Sequence, residues 1–234
     1  MITFRLKESP TVPLEAESLV PDRMVGQSND AICGLPVFLG KRQCRLDEFF
    51  DVDGADSDQM EVHGDVSKVK WIGREMSRGH IKIEGNAGMH LGAYMKGGTI
   101  EVTGNGSDWT GAEMTDGLIR IRGNAGGQIG AAYRGSLAGM KGGTIFLCSG
   151  AEIRTGAWMF RGTIVSLTPI QLLPTFAYSC AYNPTFLRIY AKFLQKLGVT
   201  IPVDSTEGSY LRYTGDSSVP GKGEIFVWQP RNQA

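Results

Sequence analysis

Histidine and cysteine are scarce in this chain of 234 residues, at three and four. Cys33, Cys44, Cys148 and Cys180 form no Cys-x-x-Cys pair and no cluster. Zinc, iron–sulfur and disulfide-scaffold readings therefore lack the close ligand spacing they need. Reduced, mostly buried thiols are the expectation. Net charge is missing as well, since 24 basic residues balance 24 acidic ones. No Lys/Arg block stands out, which leaves no counterion-release footprint for nucleic acid. Met1–Glu8 carries charges where a signal peptide would be apolar, so a cytoplasmic location is expected. Long apolar runs are also lacking. Gly162–Leu187 is uncharged but holds Pro169, Gln171, Pro174, Asn183 and Pro184, which is wrong for a spanning helix. It reads as surface that is buried or covered by a partner.

Glycine is what the chain has in excess: 32 residues, about 14%, against ~7% in average usage. With 41% hydrophobic and 21% charged residues a core can still form, so disorder is a poor reading. The glycines are periodic. Gly73-x-x-Met76-x-x-Gly79-x-Ile81-x-Ile83-x-Gly85 returns 19 residues later as Gly92, Met95, Gly98, Ile100, Val102 and Gly104. It returns again as Gly111, Met114, Gly117, Ile119, Ile121 and Gly123. A fourth copy holds Met140, Gly143, Ile145, Leu147 and Gly150, and a fifth Gly156, Met159, Gly162 and Ile164. The step from Met114 to Met140 is 26, so seven extra residues sit near 132–139.

A 19-residue period is too short for two helices with their turns, and each glycine would weaken a helix by ~1 kcal/mol. The Ile-x-Ile alternation is that of a strand with one buried face. Leucine-rich repeats have a similar length, but their Leu/Asn consensus is missing. The pattern predicts an all-β fold: a right-handed parallel β-helix, a single-stranded solenoid of 19-residue coils, with glycine at its corners. Stacking makes testable columns. Ile81, Ile100, Ile119, Ile145 and Ile164 form one inward column. Ile83, Val102, Ile121 and Leu147 form another that ends at Ser166, and Met76, Met95, Met114, Met140 and Met159 a third. The outward columns read Lys82, Glu101, Arg120, Phe146, Val165 and Glu84, Thr103, Arg122, Cys148, Leu167. A face solvated for three coils and apolar for two needs a cover.

The cover is expected from Phe186, Leu187, Tyr190, Phe193, Leu194 and Leu197, which have helical periodicity. Asn183 and Pro184 stand at its start and Gly198 past its end. Beyond it, Tyr210–Thr214 and Glu224–Trp228 alternate like strands. The chain thus divides into an N-terminal cap (1–58), the β-helix repeats (59–168) and a C-terminal capping helix with a hairpin-like tail (169–234).

No convincing chemistry emerges from the motifs. Gly85-Asn-Ala-Gly88 and Gly123-Asn-Ala-Gly126 look superficially like phosphate loops, but no strand–loop–helix context or Gly-Lys-Ser/Thr accompanies them. His63, His80 and His90 lack metal-ligand spacing; His80 reads as a surface residue, and His90 lies in a corner. Glu84 and Glu101 lie beside Lys82 and other basic neighbours, which suggests surface ion pairs rather than the carboxylate pair of a sugar-cleaving enzyme. A polysaccharide-cleaving β-helix would also need export. Catalytic, cofactor-binding and metal-binding residues are all expected to be none.

The Gly88–Ile100 pattern, Gly-x-x-x-Gly-Ala-x-Met-x-Gly-Gly-x-Ile, resembles the GXGXG-repeat superfamily, which includes the C-terminal domain of the glutamate synthase large subunit. Three further stretches are more similar to the C subunit of formylmethanofuran dehydrogenase and of the related bacterial formyltransferase/hydrolase complex. They are Leu35-Pro-Val37 through Val52, Leu173-Pro-Thr-Phe176 with Pro184–Tyr190, and Tyr210–Asp216 with the Gly221–Ile225 region. That resemblance implies a scaffold subunit in methanofuran- and tetrahydromethanopterin-linked one-carbon metabolism. Its partners would be amidohydrolase-like and formyltransferase-like chains, and any molybdenum, tungsten, iron–sulfur or zinc would sit on those partners. The alternative is a glutamate-synthase-type structural domain associated with a large flavin and iron–sulfur enzyme.

Overall fold

The computed structural model describes residues 1–196, 200–203 and 206–231. Its main feature is an 11-stranded sheet. Five strands of that sheet come from the repeats: His80–Glu84, Lys96–Val102, Asp116–Ile121, Lys141–Leu147 and Arg161–Ser166. Each pairs parallel with the next in chain order. Gln59–His63 precedes them in the same parallel stack.

Both termini extend the stack. Ile2–Leu6 pairs parallel with Gln59–His63, and Gly223–Pro230 pairs parallel with Arg161–Ser166. Antiparallel strands then close the two ends: Phe50–Asp53 beyond Ile2–Leu6, and Gly208–Gly215 followed by Ala177–Tyr182 beyond Gly223–Pro230. A small four-stranded sheet and the short Asn29–Cys33 helix complete the N-terminal part. The alternation read at Tyr210–Thr214 and Glu224–Trp228 thus becomes two paired strands, and the second of them also prolongs the parallel ladder.

The expected columns form. Ile81, Ile100, Ile119, Ile145 and Ile164 are in register and fully buried, with Met60 before them and Ile225 after. The column of Ile83, Val102, Ile121 and Leu147 runs into Ser166, whose hydroxyl donates to the Thr168 carbonyl. That bond satisfies a polar group inside an otherwise apolar row. The five repeat methionines are buried in the same core. Burying each such side chain is worth roughly 1.5–3 kcal/mol. Gly117 shows why glycine punctuates the repeat: its φ is +103°, and a Cβ there would lie 2.7 Å from the Met95 methyl.

The strand face is only one line of contact between repeats. At a second, Val66 bridges Ala87, Gly106 bridges Ala125, and Ala125 bridges Ala151, all parallel. At a third, His90 N donates to Asp108 O, Trp109 N to Gly127 O, and Gly111 N to Leu91 O. Successive repeats are therefore bonded backbone to backbone along three separate lines.

The apolar outer strip has the expected cover. The Leu187–Lys196 helix buries Leu187 and Leu194 in a cluster with Phe146, Val165, Tyr210 and Phe226, and Tyr190 and Ala191 pack at its margin. Phe193 is instead 39% exposed. The helix starts three residues after Pro184, because 184–189 turns through i to i+3 bonds first. Asn183 does not cap it; its amide donates to the Gly208 carbonyl. Leu197 and Gly198 lie outside the described residues.

One expectation for the charged face needs correction. Glu101 and Arg120 are not solvated: each side chain is 3% exposed, and their charged groups lie 3.4 Å apart. The cover reaches one repeat further than the apolar residues indicate, since Leu118, on the same strand as Arg120, joins the helix cluster. Pairing keeps the cost of burying these two charges tolerable. Phe146→Ala should destabilise the protein by about 3–5 kcal/mol in denaturant unfolding. Amide exchange should rise first in the Leu187–Lys196 helix, which loses the ring that packs 5.4 Å from Tyr190.

Candidate recognition site

Trp71, His90, Trp109 and Gln128 follow one another at the repeat spacing, each on a left-handed backbone with φ between +60° and +68°. Glycine is the ordinary residue for that conformation, and a side chain there costs of order 1 kcal/mol. Four side chains held at this corner of successive repeats make a ladder. The Trp71 and His90 rings stack at 4.1 Å and 11°. His90 and Trp109 follow at 6.4 Å.

The insertion completes the ladder. Residues 133–139 replace a direct step into Met140, and the excursion closes on itself: Met140 N donates to Gly130 O, and Gly139 N to Trp158 O. Its first residue, Tyr133, folds back over the corner. It stacks on Trp109 at 4.8 Å and 20°, and its hydroxyl shares a 2.9 Å hydrogen bond with His90 Nδ1. Tyr94 and the Arg74 guanidinium pack beside this group. Trp158 stands across from it, its backbone N–H donating to the Asp216 carboxylate. Burial pushes the Asp216 carboxyl up, but hydrogen bonds from the Ser218 and Trp158 backbone more than offset this and leave it below its ordinary value.

Between these groups lies a cavity of about 400 Å³. Trp109, Gln128, Tyr133, Arg134, Arg154 and Trp158 line it, with Ala132, Gly135 and Ala157. Burial, and to a lesser degree Lys70, lowers the His90 pKa to about 4, with Asp108 opposing. The imidazole is therefore neutral at physiological pH. Burial also holds the Tyr133 phenol well above its usual range. The site offers flat ring faces and two guanidinium groups, which suits it to stacking and to binding an anion.

The other residues singled out in the sequence lie elsewhere. His80 Nε2 contacts the buried Glu101 at 2.8 Å, and His63 sits beside Glu61. Glu84 pairs with Lys82 on a half-exposed surface. The phosphate-like glycine motifs have a structural role. The side-chain oxygens of Asn86, Asn105 and Asn124 each accept from a backbone N–H one repeat on, at Asn105, Asn124 and Gly150. All four cysteines are free, but only Cys44 is buried. Among the described residues no group of three or more His, Cys, Asp or Glu side chains could hold a metal ion. No helix among them is long and apolar enough to cross a membrane. Of the residues at this corner, the sequence pattern singles out only His90. A further signal was present, because Trp71, His90 and Trp109 are in phase with the glycines.

Fold and site together define a repeat protein with an extended aromatic corner beside a cavity. No protein-family model matches the chain. Over about a third of its length it is similar in sequence to the C subunit of formylmethanofuran dehydrogenase. It is 39% identical over 92 residues to that subunit of the tungsten-containing enzyme 2 of Methanothermobacter marburgensis, across 37% of this chain and 34% of the relative. It is 43% identical over 90 residues to that of the molybdenum-containing enzyme 1 of Methanosarcina barkeri, across 36% and 30%. The chain thus covers about a third of the length of these curated relatives. A chain of the formyltransferase/hydrolase complex (FhcABCD) of Methylorubrum extorquens, solved with methylofuran, superposes with a TM-score of 0.71 at 27% identity. That likeness covers 96% of this chain and 98% of the other.

The depressed pKa of His90 has a measurable consequence. An unfolded histidine titrates near ~6.5, so as pH falls the unfolded chain takes up this proton first. Stability is full above that pH, declines as pH drops toward 4, and levels off below. The loss is up to about 3 kcal/mol. His90→Asn, whose side chain tolerates positive φ, should flatten this part of a stability–pH curve measured by chemical denaturation.

Proposed function

We propose that this chain is the scaffold subunit of a formylmethanofuran dehydrogenase-type or formyltransferase/hydrolase complex, in methanofuran- and tetrahydromethanopterin-linked one-carbon metabolism. The observation that carries the reading is the full-length likeness to a chain of such a complex. The finer architecture we propose is a right-handed, single-stranded parallel β-helix. In-register strands and backbone bonds along three lines support it.

In this reading 59–168 forms the rigid rod, while 1–58 and 169–234 cap it and supply further surface. Rigidity comes from cooperative stacking: no repeat can hide its hydrophobic stripe without its neighbours. Such a rod holds other chains at fixed separations. The formyl-transferring chemistry, and any molybdenum, tungsten, iron–sulfur or zinc, belongs to amidohydrolase-like and formyltransferase-like partners in the cytoplasm. The exposed, uncharged Ala177–Tyr182 edge strand, with Tyr178 59% exposed, agrees with a chain that is normally covered by others.

Affinity purification of the tagged chain from its native host should recover both partner chains in stable stoichiometry. The purified chain alone should show no formyl transfer or hydrolysis. Recovery as an isolated polypeptide, or turnover by the chain alone, would overturn the reading.

A further inference from the structure

The insertion corner exposes more apolar surface than a free face explains. Leu137 is 91% exposed in the inserted loop, Trp158 45% and Phe160 38%. Ile153 is 58% exposed, and its carbonyl accepts from the N–H of the lining residue Gln128. Of these, Trp158 lines the cavity of about 400 Å³, and Ile153 and Leu137 lie one and two residues in the chain from the lining residues Arg154 and Gly135. Trp158 both lines the cavity and bonds the loop through Gly139. Large apolar side chains left exposed beside a cavity mark an interaction site.

The lining narrows what fits. Trp, Tyr and Arg are the residues that dominate binding energy at interfaces, above all around a pocket that takes an anchor side chain. The lining contains the guanidinium groups of Arg134 and Arg154 and no carboxylate. An Arg or Lys anchor would meet two like charges there. A side chain flanked by Asp or Glu would meet two forks suited to carboxylates. The stacked rings of Trp109 and Tyr133 are already fixed by packing and by the bond to His90, so little ordering is needed on binding.

We infer that this corner is the docking site for a partner chain that inserts an aromatic or aliphatic side chain, beside a carboxylate, between Trp109, Tyr133 and Trp158. The seven-residue insertion builds the receptor: it interrupts the repeat once and supplies Tyr133, Arg134 and Leu137. This inference rests on the reading of the chain as one component of a larger assembly.

The test uses the whole assembly from the native host. A photo-crosslinker is introduced as Leu137→p-benzoylphenylalanine or, on the exposed helix face, as Ile189→p-benzoylphenylalanine. Light should join position 137 to a partner chain, within a segment that has Asp or Glu next to a large apolar residue. The double variant Arg134→Glu/Arg154→Glu should lower the recovered assembly at least 10-fold while the circular dichroism of the isolated chain stays unchanged. Adducts from 137 only to a second copy of this chain, or none while partners co-purify, would overturn the inference. Unchanged recovery of the double variant would do the same. If the unaltered chain brings down no partner at all, the scaffold reading itself fails. That outcome is distinct from an assembly that forms through another face.

Discussion

Parallel registry between successive repeats is the constraint on which everything else depends. A strand from one repeat has one apolar face and unpaired backbone on both edges, and cannot be stable alone. Paired in register with the equivalent strand above and below, it satisfies its backbone and aligns Ile with Ile and Met with Met. A slip of one residue would turn the whole isoleucine column outward. Glycine near the strand starts keeps neighbouring backbones close enough for this pairing: a Cβ at Gly117 would lie 3.0 Å from the Gly98 carbonyl oxygen.

The same registry organises the polar groups. Glu61, Lys82, Glu101 and Arg120 fall in line with alternating sign before the row turns apolar at Phe146, Val165 and Phe226. Unlike charges in adjacent rungs are compatible with stacking, and like charges would not be. Asn86, Asn105 and Asn124 do the equivalent work at another corner by binding the next backbone N–H. The stack ends where antiparallel strands take over, so the parallel edges are not left open.

At the aromatic corner the repeat departs from its usual economy. Positions with positive φ carry Trp, His, Trp and Gln where glycine would be least strained. The corner projects these side chains outward in a row, and the insertion turns the row into a walled cavity. Local backbone strain held in place by a rigid stack is common where a surface recognises something.

The repeat period, strand class, buried columns and need for a cover over Phe146 and Val165 were all legible in the sequence. They follow from local pattern, in which spacing alone decides which side chains share a face. The burial of Glu101 and Arg120 was not legible, because outward charged residues of a strand ordinarily meet water, and the helix whose cluster reaches Leu118, on the strand of Arg120, lies some 70 residues away in the chain. The late start of that helix, after i to i+3 turns over 184–189, was not legible either, and Asn183 bonds the Gly208 carbonyl, 25 residues on, rather than the helix end. The aromatic corner lay between these cases: its spacing is visible in the sequence, but its meaning needed Tyr133 to fold back from the insertion. Sequence by itself determined the stack, since each rung carries its own copy of the instructions. Only the tertiary structure decided the cavity, since its walls come from separate repeats and a loop whose path no periodicity encodes.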